Sequence, residues 1–327
     1  MRPIKVKGEE VLVLDQRLLP TREKWVRIGS AEDAYNAIKT MIVRGAPLIG
    51  VVAAYGLALS AKKVSDMEEY RKMGEWLKTA RPTAINLMWA VDRVLRATGN
   101  TPSFEKSWEE ANRIFNEELE NARKIGENGE PLFEDGDVVL THCNAGALAT
   151  VDYGTALAPL RVAKEKGKNI RVFATETRPV LQGARLTAYE LVKDGIDVTL
   201  IADTAVGLTM MKGYIKKVIV GADRVLRDGT TINKIGTFQV ATFAKRFNIP
   251  FYVALPSSTL DLKSRVEEVV IEERSPEELF YIKGRRIAPR GVKAFNPAFD
   301  ITPPELITAI ITEKGVYYPP FNFGQGP

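Results

Sequence analysis

Apolar residues recur at three- and four-residue spacing along 31–42, 47–62, 66–80, 84–97 and 104–123, which predicts a run of helices. Turn signals divide them: Arg44-Gly45-Ala46-Pro47, Arg81-Pro82-Thr83 and Gly99-Asn100-Thr101-Pro102. Ahead of the helices, Val11 to Leu14 and Trp25 to Ile28 read as short strands broken by charges and Pro20. The rhythm changes at Gly126–Gly129. Apolar runs at 137–141, 170–174, 197–201, 217–221 and 250–255 then alternate with helix-like segments at 147–164, 181–194, 204–212 and 236–247. Such alternation predicts an α/β fold with a parallel sheet covered on both faces. Arg227-Asp228-Gly229-Thr230 reads as a tight turn after the fourth strand. Thr302 to Thr312, opened by Thr302-Pro303-Pro304-Glu305, reads as a C-terminal helix with proline in its first turn, and Tyr317 to Pro327 as an irregular arm. The chain thus divides into a mostly helical N-terminal domain with short β segments over 1–125 and an α/β domain over 126–327.

Composition narrows the functional classes. The apolar stretch from Pro47 to Ala61 contains Tyr55, Ser60 and two glycines, too short and mixed to span a bilayer. The N-terminus, MRPIKVKGEE, lacks the apolar core of a signal peptide. One cysteine excludes an intrachain disulfide framework, so a reducing, cytoplasmic setting is expected. The 46 basic and 41 acidic residues are spread along the chain, with no Lys/Arg block interleaved with aromatics. Neither a nucleic-acid partner nor a membrane is expected. The mild positive excess suits a small anionic substrate such as a sugar phosphate.

The candidate chemistry is concentrated at strand ends. No G-x-G-x-x-G or G-x-x-x-x-G-K-[ST] fingerprint appears, which disfavours NAD and ATP. One Cys and one His cannot close a zinc site, so no metal is expected. The segment THCNAGALAT holds both, just past the apolar run Val138–Leu140. Strand neighbours point to opposite faces, so His142 should turn away from the Cys143 thiol and serve the structure. Cys143 itself is either a small buried hydrophobe or a thiol tuned by helix-terminal amides. Asp223 lies past the apolar run Val218–Ala222, either paired with Arg224, capping nearby amides, or reacting with a ligand. Asn233-Lys234-Ile235-Gly236 precedes a helix, a grouping that suits a phosphate or a sugar hydroxyl. Arg44 and Arg81 open the turns of the helical domain, with Gly45 and Ala46 small enough for a ligand to approach their amides. Gln182 marks another polar helix start.

Taken in order, RGAP at 44–47, ARPTAINL at 80–87, HCNAG at 142–146, ETRPVLQGARLTA at 176–188, GADR at 221–224, NKIGT at 233–237 and NPAFDITPPELITAIITEKG at 296–315 resemble the methylthioribose-1-phosphate isomerases. The resemblance runs from about residue 8 to 320. These enzymes share a superfamily with regulatory subunits of the exchange factor for translation initiation factor two and with ribose-1,5-bisphosphate isomerases. The resemblance implies a Rossmann-like catalytic domain, a homodimer and no cofactor. It implies Cys143 and Asp223 as the catalytic pair, and Arg44, Gly45, Ala46, Arg81, Gln182, Asn233 and Lys234 as substrate-binding residues. The expected reaction converts 5-methylthioribose 1-phosphate to 5-methylthioribulose 1-phosphate. Such a substrate has a blocked anomeric oxygen. The ring oxygen must therefore gain a proton as its bond to C1 breaks and a proton leaves C2, with Asp223 as the acid. The alternatives are isomerisation of ribose 1,5-bisphosphate or a 5-deoxypentose 1-phosphate, and a non-catalytic subunit that binds an initiation factor.

Overall fold

The computed structural model describes residues 1–81, 84–282 and 284–324. A three-stranded antiparallel sheet opens the chain, β1 (Ile4–Lys7), β2 (Glu10–Leu14) and β3 (Trp25–Ile28). Five helices follow: α1 (Ala31–Lys39), α2 (Ala46–Ser60), α3 (Met67–Lys78), α4 (Ile85–Thr98) and α5 (Phe104–Gly129). Ser30, Asp66 and Ser103 start α1, α3 and α5 by accepting the backbone N–H of Asp33, Glu69 and Lys106. The sequence APLIGVVAAYGLALS is apolar on every side of α2, and all residues from Pro47 to Ser60 are buried. This helix is the axis of the N-terminal core, with α1, α4 and α5 packed around it. Among the described residues, no helix is long and apolar enough to cross a membrane.

The 26 residues of α5 span about 39 Å. The helix runs past the predicted end at 123 because Gly126 and Gly129 give it smooth flanks. A Cβ on Gly126 would meet the Ala158 carbonyl oxygen at 3.0 Å, and one on Gly129 would meet the Pro159 ring at 2.6 Å. One helix therefore serves two cores, through Ala111 and Ile114 at one end and Ile125 at the other.

Beyond α5 come β4 (Val138–Thr141), α6 (Ala158–Glu165), β5 (Arg171–Thr175), α7 (Ala188–Lys193), β6 (Asp197–Ile201), α8 (Val206–Met211) and β7 (Lys217–Val220). After the hairpin β8 (Arg224–Leu226) and β9 (Thr231–Lys234) come α9 (Thr237–Arg246), β10 (Phe251–Ala254), β11 (Leu260–Asp261), α10 (Glu277–Phe280), β12 (Tyr281–Ile282), β13 (Arg285–Arg286), β14 (Phe299–Thr302), β15 (Ala309–Thr312) and β16 (Gly315–Tyr317). The main sheet has the order β16-β15-β10-β7-β4-β5-β6, parallel except for β16 at its edge. Period-two alternation sorts its side chains between two faces. Val138, Leu140, Val218, Val220, Val253 and Ile310 pack with residues of α8 and α9. Val139, Ile219, Tyr252, Ala309 and Ile311 pack with residues of α5, α6 and α7 on the other side. From β4 the chain first builds outward to β5 and β6, then returns to the far side of β4 with β7, β10 and β15. That is the doubly wound order, and its crevice lies between β4 and β7. A second sheet, β11-β8-β9-β14, stands beside it.

Two predicted helices are corrected. Thr302–Thr312 holds the end of β14, one 3₁₀ turn at Pro304–Leu306, and β15. Its isoleucine spacing imitates a helix, but Ala309–Thr312 is buried throughout between β10 and β16. A strand covered on both faces reads as a continuous apolar run. The predicted helix 147–164 forms only a 3₁₀ turn at Ala147–Ala149 and then α6, since Tyr153 and Gly154 adopt positive φ. The arm after Tyr317 is anchored by Phe321 and Phe323, which join the sheet core; its last three residues lie outside the described ones.

The glycines of the helical domain yield a stability test. A Cβ at Gly56 would meet the Ala34 Cβ at 2.4 Å and the Ser30 carbonyl oxygen at 2.8 Å. One at Gly74 would meet mainly the flexible end of Leu95. Gly56→Ala is expected to destabilise by about 1–3 kcal/mol through overpacking, and Gly74→Ala by clearly less. Chemical-denaturation midpoints of both variants check the ordering.

Candidate active site

Cys143 follows β4 and Asp223 follows β7, so the two strands that flank the crevice each deliver one candidate catalytic group. The two turns touch: a Cβ on Gly221 would meet the Ala145 Cβ at 2.6 Å. Cys143 adopts φ +64, a strained conformation for a residue with a side chain. Its N–H donates to Thr177 Oγ1 (2.9 Å), and its carbonyl accepts from Thr187 Oγ1 (2.6 Å). His142 points elsewhere. Its Nε2 donates to the Ile235 carbonyl (2.8 Å), which leaves Nδ1 to accept from Thr175 Oγ1 (2.7 Å). Burial pushes its pKa down, so the ring is a neutral strut. Gly236, at φ +102, leaves room for it.

The helical domain contributes the other wall. Gly45 starts α2 at φ +93, and no side chain caps this helix. A Cβ there would sit 2.3 Å from the Ala149 carbonyl oxygen, so only glycine allows the two backbones to meet. Uncapped N–H groups at a helix start favour an anion. Arg44 precedes it, with both terminal nitrogens on Asn144: one on Oδ1 and the other on the backbone oxygen (2.8 Å).

A cavity of about 200 Å³ is lined by Arg44, Gly45, Ala46, Arg81, Cys143, Gln182, Asp223 and Lys234, among others. Asn233 is the exception among the predicted residues. It alternates with Ile232 and Lys234 along β9, which line the cavity, and its Nδ2 donates to Thr237 Oγ1 (3.0 Å) at the start of α9. Pro82 and Thr83 of the predicted Arg81 turn lie outside the described residues. Gln182 Oε1 is buried and has no hydrogen-bond partner among the described residues; the same holds for Gln16 Oε1. A buried unpartnered acceptor is costly, and a ligand hydroxyl would relieve it.

Sequence reasoning missed several lining residues. Gln16 donates through Nε2 to the Leu148 carbonyl (2.7 Å), and its polar position two residues past the strand Glu10–Leu14 was the available signal. Arg17, Arg185 and Arg274 also line the cavity, with Met41, Ile49, Val269, Val270 and Phe299 as apolar surface. Nothing in their local sequence marks them.

Electrostatics set the state of the thiol. Burial pushes Cys143 above the ordinary thiol range, while Arg44 and Lys234 pull it back and Asp223 adds to the rise. The net direction is upward, opposite to the tuning expected at a helix start. Cys143 precedes a short 3₁₀ turn, and α6 begins well beyond it. Lys234 is pushed down by burial, opposed by Cys143 and Asp223; its Nζ donates to the Ala298 carbonyl (3.0 Å). Among the described residues, no group of His, Cys, Asp or Glu side chains is arranged to hold a metal ion.

Known proteins resemble this chain over nearly its whole length. The chain is 54% identical over 326 residues, 96% of its length and 94% of the relative's, to a methylthioribose-1-phosphate isomerase of Thermosipho africanus. Among solved structures, a 5-methylthioribose 1-phosphate isomerase from Pyrococcus horikoshii OT3 matches with a TM-score of 0.90 and 42% identity, covering 98% of this chain and 93% of that one. The translation initiation factor eIF-2B subunit delta from A. fulgidus matches with a TM-score of 0.87 and 49% identity, covering 98% and 96%. The initiation factor 2 subunit family matches residues 42–319, and the chain belongs to that family.

Proposed function

We propose that this protein isomerises 5-methylthioribose 1-phosphate to 5-methylthioribulose 1-phosphate without a cofactor. The observation that carries this reading is the meeting of Cys143, Asp223, Arg44, Arg81, Gln182 and Lys234 at one cavity on the sheet's switch point. The uncapped start of α2, with Arg44, Arg81 and Lys234, receives the phosphate. Binding energy from this non-reacting group orients C1 and C2. With the Cys143 proton first passed to Asp223, Asp223 gives it to the ring oxygen as the C1–O bond breaks, and the Cys143 thiolate takes the C2 proton and returns it to C1. Asp223 recovers a proton from the C2 hydroxyl as that carbon becomes the ketone, so the enzyme returns to its starting state. Gln182 accepts from a sugar hydroxyl, and Asn233 steadies the start of α9 beside Lys234. We take the domain boundary to lie near residue 125, so that the substrate is held between domains.

The methylthio end needs an apolar wall, which Met41, Ile49, Val269, Val270 and Phe299 supply. A bisphosphate needs a second set of cations, and the remaining guanidiniums are committed to protein acceptors. Arg17 binds Asp15, and Arg274 binds Glu278. Arg185 donates to the carbonyls of Leu19, Val180, Gln16 and Arg17. Arg224 faces Asp261 at 3.5 Å.

We further infer a homodimer in the cytoplasm, a setting that fits the single unpaired cysteine. Its supporting observation is a run of exposed apolar side chains around the edge strand β6: Val192, Leu200, Leu208, Met211 and Tyr214.

Five outcomes are expected. In a metal-free assay, the protein turns over 5-methylthioribose 1-phosphate in preference to ribose 1,5-bisphosphate. Cys143→Ser and Asp223→Asn each reduce kcat by about a hundred- to ten-thousand-fold. Preference for the bisphosphate would move the chain to that substrate, and absence of turnover on both would favour a binding subunit. Alkylation of Cys143 by iodoacetamide is slow at pH 7 and rises with pH beyond the ordinary thiol range, because the raised pKa keeps the thiol protonated at neutrality. Arg44→Met removes a cation that lowers that pKa, so alkylation at fixed pH slows further. Leu200→Glu with Met211→Glu yields monomers in sedimentation velocity; an unchanged mass would reject the proposed interface.

A further inference from the structure

We infer that Glu190 is the positioning residue that holds Arg44 beside Cys143, acting through the side-chain amide of Asn144; this rests on the isomerase reading above. Neither Glu190 nor Asn144 lines the cavity, and both are buried, Glu190 completely. The Glu190 carboxyl is enclosed by donors. Oε1 accepts from Asn144 Nδ2 (2.7 Å) and the Leu148 N–H (3.2 Å). Oε2 accepts from the Ala147 N–H (2.7 Å) and Arg161 Nη2 (2.8 Å). Gly146 is what lets the carboxyl come so close, since a Cβ there would meet Oε2 at 2.2 Å. One side chain therefore grips the whole turn that follows Cys143.

The consequence lies in which way Asn144 faces. An arginine offers only donors, so Arg44 needs the oxygen end of that amide. Its nitrogen end must then face acceptors, and it has Glu190 Oε1 and Thr187 Oγ1 (3.1 Å). Thr187 can donate as well as accept, and already donates to the Cys143 carbonyl. Glu190 offers no donor, so of the two groups at the nitrogen end it is the one that forbids the flipped amide. The sequence Glu190, Asn144, Arg44 is thus a directional relay from α7 to the cavity wall. Arg161 is tied to Asp194 as well as Glu190, so the Oε2 side is held as an acceptor.

Glu190→Gln tests the relay. Arg161 and the Ala147 N–H demand an oxygen on their side, so the new amide nitrogen falls opposite Asn144. Asn144 then turns its oxygen to that amide and its nitrogen to Arg44, two donors face each other, and Arg44 keeps only the Asn144 backbone oxygen. The expected loss in kcat/KM is about 100-fold, the scale for misplacing a binding group. Adding Asn144→Asp supplies a side chain that accepts from both the introduced amide and Arg44, and is expected to recover about tenfold or more of that loss. A folded Glu190→Gln protein, as judged by circular dichroism, with wild-type kcat/KM overturns the inference. So does a loss that Asn144→Asp leaves unrepaired in a folded double variant. If Glu190→Gln does not fold, Asn144→Leu, which leaves the Arg161 and backbone contacts of Glu190 in place, must show the loss; unchanged activity there overturns the relay. Cys143 alkylation separates this inference from the isomerase reading because it needs no substrate. If the wild type turns over no pentose phosphate, Glu190→Gln, or Asn144→Leu where that protein does not fold, must still slow alkylation at fixed pH as Arg44→Met does; an unchanged rate overturns the relay independently.

Discussion

The contact on which the site depends is the approach of two backbones, Gly45 at the start of α2 and Ala149 in the turn after β4. It is closer than any side chain permits. Because α2 is the buried axis of the helical core, and β4 is the strand from which the main sheet grows in both directions, this contact fixes one core against the other. It also sets where a helix dipole ends. The uncapped start of α2 lies at the cavity that Cys143 also lines, rather than at a random point on the surface. Helix α5 reinforces the joint from behind by belonging to both cores. A loosened joint would leave Cys143 and Asp223 together but carry Arg44 and the α2 amides away from them.

Much of this was legible in the chain because it follows from local rules. The alternation of apolar strands and helical segments after residue 126 led to a parallel sheet covered on both faces, and open sheets of this kind place ligands at the carboxyl ends of strands. Cys143 and Asp223 stood out for that reason, and Arg44-Gly45-Ala46 stood out as a helix start whose small residues let a ligand approach the amides. The strand Ala309–Thr312 was misread because Ile307, Ile310 and Ile311 carry helical spacing and Pro304 suits a first turn. Only its burial between β10 and β16 decides the matter, and that is a property of the assembled sheet. The positive φ of Cys143 was equally hidden, since the hydroxyls that hold its backbone, those of Thr177 and Thr187, lie on remote segments. Glu190 looked like any glutamate on a helix. Its role comes from the donors that fold around it, contributed by residues far from it in sequence.

The charge arrangement explains why such a site favours a phosphorylated ligand. Arg44, Arg81 and Lys234 line a cavity in which Asp223 is the one acidic lining residue among those described. Lys234 is held below its usual pKa, first by burial and then by Arg81 and Arg274. Arg81 and Arg274 therefore repel Lys234 in the free site, against the pull of Cys143 and Asp223. A phosphate dianion placed among these cations reverses those terms while it satisfies the α2 amides. The same cations pull the Cys143 thiol towards ionisation against its burial, so occupation of the phosphate site and the protonation of the thiol are linked. Phosphate binding screens Arg44 and Lys234 from the thiol and strengthens the hold of Cys143 on its proton. In the proposed mechanism, where the Cys143 thiolate takes a proton from one carbon and returns it to the next, that balance sets its basicity. A fully stabilised thiolate would accept the C2 proton weakly, and an isolated buried thiol would not accept it at all.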